Sequence, residues 1–257
     1  MAMTLAAMLA TAALFLGMLL LHALGRRLGG RALRRNPDAL KGSSATEGAV
    51  FALLGLVVAF NFSGAGARFE ARRALITEEA NDIGTAYLRV DLLAPAAQPA
   101  MRQDFRRYAE LRAAPPDLSD PGAASVWYAR TATLQQHIWQ QAYRASQRAD
   151  SAPQATMLLL PALNAMIDIT TTRQMATRNH PPIAIFILLG ALSLTGSLLV
   201  GYGSAGNKAR AWFHPVAFAA VISLAIYLII DLEVPRAGLI RVSDSDRVLV
   251  DVRASMR

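Results

Sequence analysis

The chain has 257 residues, 54% of them hydrophobic, no cysteine and a formal net charge of +8. With a mean hydropathy of +0.31 it has the composition of a membrane protein, and without cysteine it can build neither a disulfide framework nor a thiolate metal site. The positive excess sits beside apolar segments, which points to topology signals and lipid headgroups and away from nucleic acid.

Leu5–Leu24 is the first of four apolar stretches; the others are Ala49–Gly66, Ile183–Gly203 and Phe213–Leu232. Each is close to the ~20 residues that cross a bilayer, and none has a charge at its centre. The first reads as a retained span and not as a secretory signal. No basic residue precedes it, and the apolar run is long. The loop that follows carries Arg26, Arg27, Arg31, Arg34, Arg35 and Lys41 against a single acid, Asp38, and the third loop adds Lys208 and Arg210. By the positive-inside rule both loops are cytoplasmic, which places the termini and the central region outside the cytoplasm. Arg68, Arg72, Arg73, Arg173, Arg178, Arg236 and Arg241 flank the spans on the other side and count against this. Arginine and alanine in excess over lysine suggest a GC-rich bacterial genome, so the expected location is a bacterial inner membrane.

From Thr46 to Leu93 there is no proline, and Phe69, Ile76, Ala80, Ile83, Tyr87 and Val90 recur at helical spacings. The second span is therefore expected to continue as one long stalk helix with an apolar seam, ended by Pro95 and Pro99. Three helices follow: Pro99–Ala113, Ala123–Ala149 and a last one from near Pro153 to Arg178. The loop at 115–122 is rich in proline, and His180-Pro181-Pro182 breaks the chain before the third span. Val126, Trp127, Leu134, Ile138 and Tyr143 are expected to form one inward face, and Leu160, Leu163, Met166, Ile167 and Ile169 another. Ser243 and Asp244 could cap a short C-terminal helix. The fold class is all-α: four transmembrane helices, with an extramembrane helical bundle inserted between spans 2 and 3. The expected divisions are 1–66 (spans 1 and 2), 67–180 (the helical domain), 181–232 (spans 3 and 4) and 233–257 (a C-terminal extramembrane segment).

No nucleophile–base pattern, HExxH, GxSxG or phosphate loop is present, and the four histidines are scattered. Neither an enzyme nor a cofactor or resident metal is expected. The second span does carry a bare face, with Gly48, Ala52, Gly55, Ala59, Ser63 and Gly66 at spacings of three and four. Such a face lets helices approach closely, either inside one chain or around a symmetry axis with copies of itself. In the second case the small face, or the bulky row Leu54, Val58 and Phe62, lines a narrow hydrophobic neck, with Asn61 and Ser63 as its polar lining. Glu78, Glu79 and Asp82 crowd like charges on one helix, which calls for arginine partners or, as the lesser option, a hard divalent cation. Asp231 and Glu233 stand where the fourth span ends, either marking the interface, with Arg236 as a partner, or forming a mouth that concentrates cations.

Several stretches together resemble the bacterial bestrophin-like membrane family: Glu47-Gly-Ala-Val-Phe-Ala-Leu-Leu-Gly55, Phe62-Ser-Gly-Ala65, Arg68-Phe-Glu-Ala-Arg-Arg73 and Glu78-Glu-Ala-Asn-Asp-Ile-Gly-Thr-Ala-Tyr-Leu-Arg89. Further along come Leu163-Asn-Ala-Met-Ile-Asp-Ile-Thr-Thr-Thr-Arg173, His180-Pro-Pro182, Asp231-Leu-Glu-Val-Pro-Arg236-Ala-Gly-Leu-Ile240 and Arg253-Ala-Ser-Met256. The resemblance implies a distant likeness to bestrophins, pentameric ion channels with four spans per subunit and a pore lined by the second helix. It does not extend to calcium gating, because Ser243-Asp-Ser-Asp246 is too short and interrupted for the acidic run of animal bestrophins, nor does it set the sign of the ion. The expected function is thus a homo-oligomeric ion channel, a pentamer by resemblance, with lipid and inorganic ions as partners. The alternative is a non-conducting envelope scaffold or sensor whose helical domain binds a partner.

Overall fold

The computed structural model describes residues 2–116, 118, 120–207, 212–234, 238–240 and 245–256, and among them none is in a β-strand. The helices are α1 (Ala2–Arg35), α2 (Ser43–Leu88, tightening to a 3₁₀ turn over Arg89–Leu92), α3 (Gln98–Ala113), α4 (Pro121–Ser146), α5 (Ala155–Arg178), α6 (Ile183–Gly203), α7 (Phe213–Glu233) and α8 (Arg247–Ser255). Among the described residues four stretches are long and apolar enough to cross a membrane, within Leu5–Arg35, Ser44–Leu92, Ala155–Gly206 and Phe213–Glu233. The chain is a multi-pass membrane protein. Local signals set the helix ends. Asp120 caps α4 by accepting from the Gly122 and Ala123 amides at 2.9 and 3.4 Å, and Pro121 occupies the first turn. Lys208, Arg210, Arg236, Arg241, Ser243 and Asp244, which the sequence reading used for topology and capping, lie outside the described residues.

The chain divides into two units, Met1–Phe69 with His180–Ile240, and Glu70–Asn179 with Arg241–Arg257. The expected C-terminal segment 233–257 is thereby shared, 238–240 lying in the first unit and 245–256 in the second. In the first unit α1 packs on α6 and α7, and α6 on α7. The α1–α6 crossing is a glycine contact. A Cβ on Gly25 would fall 2.0 Å from the Leu198 carbonyl oxygen, and one on Gly201 would fall 2.1 Å from that of His22. Two backbones meet this closely only where side chains are missing.

In the second unit α3 packs on α4 and α8, and α4 on α5. The seam expected along α2 is buried as read, from Phe69 and Ile76 to Tyr87 and Val90. The α4 face differs. Trp127 and Ile138 are inside, but Val126 and Tyr143 are half exposed. The buried line runs 124, 127, 131, 135, 138, 142, 145, so Val126 and Tyr143 each fall one residue, about 100°, off it. On α5, Leu163, Met166 and Ile169 are inside along with Leu159, whereas Leu160 and Ile167 are only partly covered.

Candidate functional site

α2 carries the residues that sequence reasoning singled out, and its two sides differ. Toward its own chain it presents bulk. In the first unit Phe51 meets Phe218 edge-on with centroids 5.1 Å apart, and its ring lies over Gly196, where a Cβ would come within 3.2 Å of it. Leu54 is 1% exposed. Away from its own chain it presents a stripe of small residues flanked by the exposed apolar side chains of Leu53, Leu56, Phe60 and Phe62. Gly48, Ala52, Gly55, Ala59 and Ser63 are exposed, and a Cβ on Gly48, Gly55 or Gly66 would meet no described atom within 4 Å.

Two sequence expectations are corrected here. The small stripe does not pack against another helix of the same chain among the described residues; the glycines that do so are in α1 and α6. Leu54, Val58 and Phe62 do not share one face either, being buried, half-buried and 47% exposed respectively. Steps of four residues advance about 40° past a full turn, which carries the row from the inside to the outside. Phe62, beside the small stripe and flanked by exposed Leu56 and Phe60, is the bulky member that faces outward. Asn61 donates from Nδ2 to the Val57 carbonyl at 2.7 Å, folding its amide back on its own helix, while Ser63 is exposed.

Past the apolar stretch, α2 changes to charged anchors. In the first unit Arg68 donates from Nε and Nη2 to Glu233 Oε1 at 2.8 and 2.6 Å, and His180 Nδ1 lies 3.3 Å from the other oxygen. Asp231 accepts from the Leu239 and Ile240 amides at 3.0 and 2.9 Å. Gly238 is required there, since a Cβ would sit 2.1 Å from Asp231 Oδ1. Asp231 and Glu233, each 4% exposed, are therefore satisfied structural carboxylates and not an open cation-concentrating mouth.

In the second unit Arg72 donates to the Ala176 and Asn179 carbonyls at 3.1 and 3.0 Å, closing the C-terminal end of α5. Of the three acids Glu78, Glu79 and Asp82, only Glu79 enters the core, fully buried and bound by Arg112 and Arg173. Burial alone would push its carboxyl up, but Arg112 and then Arg173 outweigh it and hold it below the usual glutamate value. Arg112 in turn stacks over the Trp127 ring at 4.3 Å. Glu78 is exposed, and partly covered Asp82 has its carboxyl raised by burial and then by Glu78 and Glu79. No group of three or more acidic or histidine side chains fit to hold a metal occurs among the described residues.

A family model for the Bestrophin-like domain matches residues 5–246, nearly the whole chain, and the chain belongs to that family. No curated protein and no solved structure matches it.

Proposed function

Starting from its place in the Bestrophin-like family, we propose that the chain assembles into a homo-oligomer with α2 at the symmetry axis and conducts inorganic ions along that helix. The observation that carries this reading is the outward face of α2, which is apolar, carries a stripe of small residues and has no cover among the described residues of its own chain. Copies arranged around an axis would cover it. Phe62 then stands at the constriction with Val58 at its flank, Ser63 and Asn61 supply the polar lining, and Leu54 supports the helix from behind. The second unit lies outside the membrane, on the extracytoplasmic side of a bacterial inner membrane, and performs no catalysis.

The test is ion flux through protein reconstituted in liposomes under opposing K⁺ and Cl⁻ gradients, with Phe62→Ala as the comparison. Flux that changes with the substitution while the oligomer stays intact supports the pore, and the reversal potential gives the sign of the ion. Absence of flux from both forms, with the oligomer intact, refutes it in favour of the second reading, a scaffold or sensor. One observation favours that alternative: Arg68 is tied to Glu233, and the exposed face of α2 from Gly48 to Ser63 carries no ionisable group, whereas many ion pathways place one there.

A further inference from the structure

Within the first unit, a cavity of about 560 Å³ opens between the last turns of α1 and the start of α7. His22, Arg26, Arg27, Arg31, Arg34 and Trp212 are among the residues lining it, and among the described residues no carboxylate lines it. Arg26 is held in place by donating to the Asn207 carbonyl at 2.7 Å. Arg27, Arg31 and Arg34 form an ion pair with no described residue, and the nearby acid Asp38 is taken up by Lys41 at 2.9 Å. Arg27 and Arg31 are four apart on one helix and Arg31 and Arg34 three apart, so they repel one another. A basic helix end on the surface could simply be solvated, but these guanidiniums surround a concavity with an indole at its edge.

The cavity also lies at a particular depth. The apolar run of α1 stops at Leu24, and α7 enters its apolar run at Phe213, immediately after Trp212. Tryptophan at the end of a span marks the headgroup layer, so the cavity opens where lipid phosphates are. Guanidinium groups match phosphate oxygens in a two-pronged geometry that ammonium groups do not reproduce. We propose that this cavity is a binding site for a phosphate-bearing anion, supplied by the headgroup of an anionic phospholipid. The site is separate from the α2 face and does not depend on whether the protein conducts.

The experiment is native mass spectrometry of the full-length protein in detergent supplemented with phosphatidylglycerol or with phosphatidylcholine. Wild-type protein should retain phosphatidylglycerol and not phosphatidylcholine. Arg27→Gln with Arg31→Gln should weaken retention roughly 30-fold, from about fivefold per arginine, and Arg27→Lys with Arg31→Lys should restore part of it. Arg35→Gln, which removes a charge just beyond the cavity, should change little. Unchanged retention in the double Gln variant overturns the site. So does an equal loss in Arg35→Gln, which would reduce the effect to diffuse attraction by a basic segment. Inorganic phosphate at constant ionic strength is the remaining arm. Failure to displace the lipid supports a headgroup ligand, and displacement overturns the lipid source in favour of a soluble phosphate anion.

Discussion

Alanine at Gly201 and alanine at Gly55 should move stability in opposite directions, although both residues sit in apolar stretches of membrane helices. A Cβ at Gly201 would lie 2.1 Å from the His22 carbonyl oxygen and 2.8 Å from its carbon, and both obstacles are backbone. Carbon and carbonyl oxygen out of bonding keep about 3.3 Å apart, so α1 and α6 must separate by roughly 1 Å along this contact. Overpacking a well-filled site costs about 1–3 kcal/mol; with backbone on the far side, the upper end applies. At Gly55 nothing described lies within 4 Å, and alanine gains up to about 1 kcal/mol of helix propensity over glycine. At roughly 2–4 °C per kcal/mol for a chain of this size, Gly201→Ala should lose about 6–12 °C in a detergent melt followed by circular dichroism. Gly55→Ala should hold or rise. A Gly201→Ala protein as stable as wild type refutes the close α1–α6 crossing. Gly55→Leu takes the same logic to assembly: the folded chain should survive, while size-exclusion chromatography with light scattering reports a smaller particle. An oligomer of unchanged mass and stability would refute α2 as the element at the axis.

Two other side chains give independent checks. Glu79→Gln leaves Arg112 buried without its counter-charge, a change that costs about 3–5 kcal/mol when an ion is stranded. Arg173 is the lesser loss, since it also lies 4.0 Å from Asp246. Because the folded Glu79 carboxyl is held below its ordinary 4.5, its contribution is fully present above that pH and is lost as the pH falls through the lower, folded value. Acid titration of wild type should therefore show a loss of stability that the Gln variant lacks, and parallel acid profiles would refute it. Asp231→Asn turns a two-oxygen acceptor into a group with one, so it orphans an amide at Leu239 or Ile240 at a cost of about 1–3 kcal/mol. Hydrogen exchange at those two amides should accelerate, and unchanged protection would sink the assignment.

The spans and the seam were legible because each is a local pattern. α6 begins and ends at Ile183 and Gly203 as read, since prolines stand before it and the apolar run defines it. Buried faces were harder wherever small residues carry the contact. Ala142 and Ala145 on α4 are inside while the larger Tyr143 between them is out, because a short side chain lets the neighbouring helix come close. The same bias hid the α1–α6 crossing, where Gly25 and Gly201 gave no hydrophobic signal. Among the acids, burial of Glu79 follows from its place three residues after Ile76 and four before Ile83, on the seam side of α2. Its partners Arg112 and Arg173 come from α3 and α5, and no local spacing announces them. The exposed state of the α2 stripe was open from sequence alone, because a bare face looks the same whether a helix of its own chain covers it or nothing does.

The glycine crossing also sets an order of events during biosynthesis. Gly25 in α1 meets Leu198 in α6, and those residues leave the ribosome about 170 residues apart, a delay of roughly 10–30 s at ordinary elongation rates. Through that interval the first helix has to remain in the bilayer without its companion. Its long apolar run lets it do so, and the close glycine contact forms only when the third span arrives.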